Sequence, residues 1–280
     1  MTEPTKELIN LSYPNLFNLN IKTINYHQKV KLYNGRSLEL LPADHVLGSS
    51  QILFRNEYSI LYSSDFLLTP KTEIPKEIDL LIVDATYGEP TQTRPSLEKI
   101  FDFLNNLIRS ANRPIYFFTH QGKIQKTMHL LRTYCGNKKP IILSNKSYKI
   151  AKIYTKNGLN LGEFHQNNTD NGKEIIKNRN YIAFIDTSKK QKCDFFIKDS
   201  FKISLSGWIF NKPFIKIGKN HYSISFSAHA DFNDLIEYIK NCKPKFVITD
   251  NFRFGSAEKL SSYIKKKLNI NSIHLPIKNN

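Results

Sequence analysis

Residues 222–239 read YSISFSAHADFNDLIEYI, and this stretch decides the fold class. Tyr222 to Phe226 is a short strand-like run that ends at Ser227-Ala228-His229-Ala230-Asp231. A helix follows, because Phe232, Leu235, Ile236 and Ile239 recur at helical spacing and form one apolar face. Asp231 stands where a helix N-cap belongs, its short carboxylate able to accept a first-turn N–H. A strand that feeds a helix through a polar loop is the repeating unit of layered α/β proteins.

The same grammar extends in both directions. Downstream, Phe246 to Thr249 is a strand, Ala257, Leu260, Ile264 and Leu268 mark a helix, and Ser272 to Leu275 closes a sheet. Upstream, Gln51–Arg55 and Tyr58–Tyr62 flank Asn56-Glu57 and predict a β-hairpin. Asp79 to Asp84 (DLLIVD) predicts a strand buried on both faces. Pro95 opens a helix carrying Leu97, Ile100, Phe101, Leu104 and Ile108. Ile115–Thr119 is a strand, Gly122–Tyr134 a helix, and Ile141–Leu143 a strand, an alternation that implies a parallel sheet. Residues 156–180 are rich in Asn, Gly and Lys and predict a loop, whereas Tyr181–Asp186 and Phe201–Leu205 are strands again.

Composition narrows the function. No apolar run approaches the roughly 20 residues of a membrane helix, and the polar N-terminus does not resemble a secretory signal. Three scattered cysteines, Cys135, Cys193 and Cys242, lack CxxC spacing and argue against a disulfide framework or zinc ribbon, so a cytoplasmic setting is expected. The net charge of +17 favours polyanionic partners. Residues 121–200 hold 16 Lys/Arg against 6 Asp/Glu, so the excess is concentrated there. Lys123, Lys126, Arg132, Lys138 and Lys139, on or just after the helix from Gly122, are candidate nucleic-acid contacts, as is Arg253; the helix residues equally suit a solvated face.

Four strand-end segments carry metal-capable side chains: His45 in ADHVLGSSQ, Asp65 in YSSDF, Asp84 in DATYG and His229 in FSAHAD. Imidazole and carboxylate together suit zinc or a similar divalent ion. Taken singly, a loop histidine also serves as a structural hydrogen-bonder, and strand-end aspartates as turn formers or caps.

The order and wording of these segments, together with Ser206-Gly207-Trp208, resemble the metallo-β-lactamase-fold nucleases of the β-CASP type, over about residues 25–275. The resemblance implies a partial metallo-β-lactamase αββα sandwich of residues 1–91 and 206–280, and an inserted β-CASP α/β cap of residues 92–205. RNA or DNA would lie between the two. It implies catalytic roles for Asp84 and His229 and metal ligation by His45 and Asp65, with two zinc ions in full members of the family.

This sequence departs from that pattern. The family's HxHxDH set would precede the HVLGS phrase, yet only His27 occurs before His45, so the chain reads as beginning too late to contain it. Asp250 stands where many members have a histidine, and Asp84 replaces the more usual glutamate. His45, Asp65 and His229 then form an incomplete zinc set. The expected function is RNA (or DNA) processing by phosphodiester hydrolysis, with RNA preferred. The alternative is an inactive nucleic-acid-binding or scaffold subunit paired with a homologous nuclease subunit or a second copy of itself.

Overall fold

The structure, a computed structural model, describes residues 1–13, 20–188, 194–252 and 255–277. Along the chain run α1 (Glu3–Ser12), β1 (Val30–Lys31), β2 (Ser37–Pro42), β3 (Ser50–Arg55), β4 (Ser59–Tyr62) and β5 (Leu80–Val83). Next come α2 (Leu97–Ser110), β6 (Ile115–Thr119), α3 (Lys123–Thr133), β7 (Ile141–Leu143), α4 (Asn145–Lys156), β8 (Phe164–Gln166) and α5 (Asp170–Asn178). They are followed by β9 (Ile182–Asp186), β10 (Phe201–Ser206), β11 (Phe214–Gly218) and β12 (His221–Ser225). The chain finishes with α6 (Phe232–Cys242), β13 (Phe246–Asp250), α7 (Ala257–Tyr263) and β14 (Asn271–Leu275). These elements form two compact α/β units, Met1–Thr93 with Ala228–Asn280, and Arg94–Ser227.

The first unit holds a seven-stranded sheet of order β1-β2-β3-β4-β5-β13-β14. The hairpin of β3 and β4 pairs Ile52 with Tyr62 and Arg55 with Ser59, while β4, β5, β13 and β14 run parallel. One face is a closed core, in which Leu53, Leu61, Leu81, Val83 and Val247 meet Leu235, Ile236 and Ile239 of α6 and Leu260 of α7. The expectation that β5 is buried on both faces is corrected: Leu81 and Val83 are buried, but Leu80 and Ile82 are only half-buried. The helices packed in this core occupy one side of the sheet, so successive side chains alternate between a closed and a more open face.

The second unit holds a sheet of order β11-β12-β10-β6-β9-β7-β8, parallel except for the antiparallel edge strand β11. This compact unit runs from Arg94 to Ser227. β12 pairs with β10 from His221 opposite Lys202 to Ser225 opposite Ser206, which draws the strand before FSAHAD into this unit. The expected loop at 156–180 contains β8 and α5 instead. The hydroxyl of Thr169 caps α5 by accepting from Gly172 N, and Ile175 and Ile176 pack against the buried cluster of Tyr116, Ile142, Tyr181 and Ala183. Weak sequence periodicity is enough for so short a helix once a sheet receives its apolar residues.

Cys135 and Cys242 are free thiols. Burial pushes them up to about 11 and about 12, which leaves them un-ionised at neutral pH. Cys193 lies outside the described residues.

The starts of three parallel strands are tied by one carboxylate. Asp79 accepts from the N–H and hydroxyl of Ser59, both at 2.8 Å, and from Lys245 Nζ at 2.6 Å. Hydrogen bonding from Lys245, then from Ser59, holds its carboxyl well below the ordinary carboxylate range. A depressed carboxylate contributes stability above its unfolded-state pKa and loses that contribution as the pH falls through the folded value. Asp79→Asn should therefore lower the urea midpoint near neutral pH and narrow its gap from wild type in strong acid. Parallel unfolding curves across acidic and neutral buffers read this directly, and an equal loss at every pH would contradict it.

Candidate active site

The candidate residues of the first unit gather at the carboxyl ends of its strands. Asp65 follows β4, Asp84 follows β5, His45 lies in the turn between β2 and β3, and His229 precedes α6. Local backbone geometry aims two of them. Asp44 and Ser64, immediately before His45 and Asp65, adopt left-handed φ angles of 48° and 55°. The Asp44 carboxylate accepts from Thr69 Oγ1 at 2.9 Å. The Ser49 hydroxyl accepts from the His45 and Val46 N–H groups at 2.9 and 3.2 Å, which closes the His45 turn. Gly48 in that turn has φ 79°, and a Cβ there would lie 2.5 Å from Thr2 Oγ1. The glycine of the HVLGS phrase is thus required by backbone conformation and by close approach of the α1 start.

One donor atom each from His45, Asp65 and His229 lies within 4.8 Å of the others. The two imidazole rings meet edge to face with centroids 4.6 Å apart. His229 Nδ1 lies 2.9 Å from Asp84 Oδ2, and His45 Nδ1 lies 3.0 Å from the Ala228 carbonyl oxygen. Both acceptors suit the Nδ1–H tautomer, which puts the lone pair of each ring on Nε2. His45 Nε2 is 4.0 Å from Asp65 Oδ2.

Asp84 plays a supporting part in this geometry. Its Oδ1 accepts from Thr86 N at 2.8 Å and Thr86 Oγ1 at 2.6 Å, and its own N–H donates to Ser63 Oγ at 3.0 Å. Burial alone would raise its carboxyl, but hydrogen bonding and charge from His229, joined by Thr86, hold it below the ordinary range. Burial, and then the neighbouring His229, lower the pKa of His45, only partly offset by the Ala228 carbonyl and by Asp65 and Asp84. A neutral imidazole is the form that ligates metal.

Sequence reading missed Thr86, Ser49 and the Ala228 carbonyl. Thr86 was visible inside DATYG, but its task depends on where Asp84 points. The Ala228 carbonyl has no side-chain signal at all. Asp250 takes no part in the three-donor group among the described residues. Its Oδ1 accepts from Phe252 N at 2.9 Å, and its Oδ2 lies 3.5 Å from the Tyr62 hydroxyl.

The basic residues of the second unit divide by task. Arg132 donates to the carbonyl oxygens of Leu161, Asn137, Lys139 and Glu163, at 3.2, 2.5, 2.8 and 3.0 Å. Its guanidinium thus ties together four backbone carbonyls. Lys139 Nζ donates to the Ala111 carbonyl at 3.1 Å. Lys138 is exposed, and Lys123 and Lys126 are half-buried on α3. Arg253 lies outside the described residues.

The chain resembles several known proteins. Residues 216–276 match the family described as RMMBL, the Zn-dependent metallo-hydrolase RNA specificity domain. The "Uncharacterized protein in lig 3'region" of Acidianus ambivalens is 34% identical over 142 residues, 49% of this chain and 99% of that protein. The "RNase J-like protein" of Methanocaldococcus jannaschii is 25% identical over 326 aligned residues, 91% of this chain and 76% of that protein. A solved Enterococcus faecalis V583 protein of unknown function shares the fold with a TM-score of 0.67 at 14% identity, over 100% of this chain and 74% of its own.

Two outcomes separate orienting, ligating and structural roles. Asp84→Asn should weaken zinc binding by about 10- to 100-fold while the fold is retained, because His229 loses its tautomer-fixing acceptor. Calorimetric titration checks this, and unchanged affinity would remove Asp84 from the site. Arg132→Ala should cost about 2 kcal/mol of stability, since it strands several backbone acceptors. Its effect on RNA affinity should be small, as read by denaturant melts beside an RNA-binding isotherm.

Proposed function

The chain belongs to the metallo-β-lactamase-fold β-CASP nuclease family, and from that premise we propose that it processes RNA by phosphodiester hydrolysis at the His45–Asp65–His229 cluster. The observation that carries this reading is the pair of imidazoles, each with Nδ1 held by an oxygen acceptor, converging with a carboxylate so that one donor atom of each residue lies within 4.8 Å of the others. Two imidazoles and one carboxylate suit a single zinc ion, the three-ligand set of catalytic zinc sites. His45, Asp65 and His229 would hold the ion. When bound, it would polarise a phosphoryl oxygen and lower the pKa of a coordinated water.

The chain's own residues perform the remaining tasks. Asp84 keeps a proton on His229 Nδ1 and balances positive charge that develops on the ring. Thr86 fixes the Asp84 carboxylate, and the Ala228 carbonyl fixes the tautomer of His45. The positive excess over residues 121–200 draws in a polyanion. RNA is preferred over DNA because the matched domain is described as an RNA specificity domain and one relative is named for an RNase.

A second reading is an inactive subunit that binds nucleic acid and pairs with a homologous nuclease subunit or with its own copy. The small donor set favours it. The sequence contains no HxHxDH phrase, and the described residues gather three donors where two zinc ions need more. One experiment decides between the readings. The purified full chain is analysed for zinc and incubated with end-labelled RNA, with and without added zinc. The nuclease reading expects at most one bound zinc per chain, zinc-dependent cleavage, and loss of that cleavage in His229→Ala with the fold intact. RNA bound but never cut would establish the second reading, and full cleavage by His229→Ala would place the chemistry elsewhere.

A further inference from the structure

β6 and β10 are adjacent parallel strands, in register from Ile115 opposite Phe201 to Phe118 opposite Ser204. At their carboxyl ends the chain departs in opposite directions. β6 leads through α3 to β7 on one side of the sheet, whereas β10 leads to β11 and β12 on the other. Connections that diverge at the carboxyl ends of adjacent parallel strands mark the place where open sheets bind ligands. Gly122-Lys123 at the start of α3 follows one of these strand ends, and Gly207-Trp208 follows the other.

Arg94 reaches this corner. Its Nη2 donates to the Gly207 carbonyl oxygen at 2.6 Å, and its guanidinium carbon lies 5.4 Å from the Phe210 ring centroid. The Phe210 ring in turn meets the Trp208 indole at 6.3 Å, nearly perpendicular. Trp208 is 57% exposed, so much of its indole meets solvent in the corner that Arg94 reaches. Burial first, and then the nearby Arg94 charge, lower the Lys123 ammonium to about 8. The amino end of α3 adds positive potential of its own.

We propose that Arg94, Lys123, Trp208 and Phe210 form a nucleotide subsite that binds a phosphate of single-stranded nucleic acid and stacks the adjoining base on Trp208. Two like charges crowded into a half-buried corner are relieved by an anion, which gives the corner its charge preference. The exposed indole selects an anion that carries a planar ring, because bases stack on aromatic faces irrespective of their identity. The subsite depends on the nucleic-acid part of the function proposed above and is independent of metal and cleavage.

Trp208 is the chain's single tryptophan, so its fluorescence reports the subsite directly. The full chain is titrated in chelator with oligo(U) of about ten nucleotides, with uridine monophosphate, and with inorganic phosphate. Saturable quenching by the oligonucleotide at concentrations well below those needed for the two small anions is expected. Lys123→Gln should weaken binding by at least about fivefold and lower the log–log salt slope by about one. Lys123→Arg should restore both, and the exposed Lys265→Gln should change neither. Trp208→Leu, followed by anisotropy of a labelled oligonucleotide, should weaken binding with little change in salt slope. Binding without Trp208 quenching, or an unaltered isotherm in Lys123→Gln, would overturn the subsite. Equal apparent affinity for phosphate and oligonucleotide would reassign it to small anions. Quenching without zinc-dependent cleavage would refute the hydrolytic reading and leave the subsite standing.

Discussion

The hydrogen bond between Asp84 and His229 is the interaction on which the candidate site depends. It joins side chains 145 residues apart in sequence and is made at 2.9 Å with the carboxylate almost fully buried. A buried carboxylate is costly unless its oxygens are satisfied, and here both are, one by imidazole and the other by Thr86. That arrangement favours the proton on Nδ1 of His229. It also relates the start of α6 to the end of β5, so the helix that builds the core and the histidine that builds the site are positioned together. The Asp231 cap and its reciprocal Asp234 bond then begin α6 two residues after His229.

His45 is held by a different device toward the same end. Its turn is shaped by a left-handed Asp44, a positive-φ Gly48 and the Ser49 hydroxyl, and its ring is oriented by a backbone carbonyl rather than a carboxylate. A carbonyl acceptor fixes the tautomer without adding formal charge. The two histidines therefore share a geometry but differ electrostatically, one backed by an anion and the other by a dipole.

The positive charge of the second unit is similarly differentiated. Arg132 and Lys139 donate to main-chain carbonyls and hold together the end of α3, the loop before β7 and the approach to β8. Lys123 and Arg94 instead share a corner at the strand ends, close enough for the Arg94 charge to lower the Lys123 ammonium. Composition sums these groups alike, although their tasks differ.

The residues alone carry the α/β alternation, the identity of most strands and helices, and the order of His45, Asp65, Asp84 and His229 at strand ends. These features are legible because apolar periodicity and capping chemistry act over a few residues. The Asp231 cap and the β3–β4 hairpin are of this kind. Tertiary structure alone decided the rest. β8 and α5 carry little periodic signal and exist because a sheet edge and an apolar cluster receive them. The strand before FSAHAD belongs with the second unit because β10 supplies its hydrogen-bonding partner. The Ala228 carbonyl and the Arg132 acceptors are backbone groups, identical in every sequence, so no residue type announces their role. Which charges meet, and which nitrogen of a histidine faces a cation, depends on distances between residues far apart in the chain, and only the folded structure sets those distances.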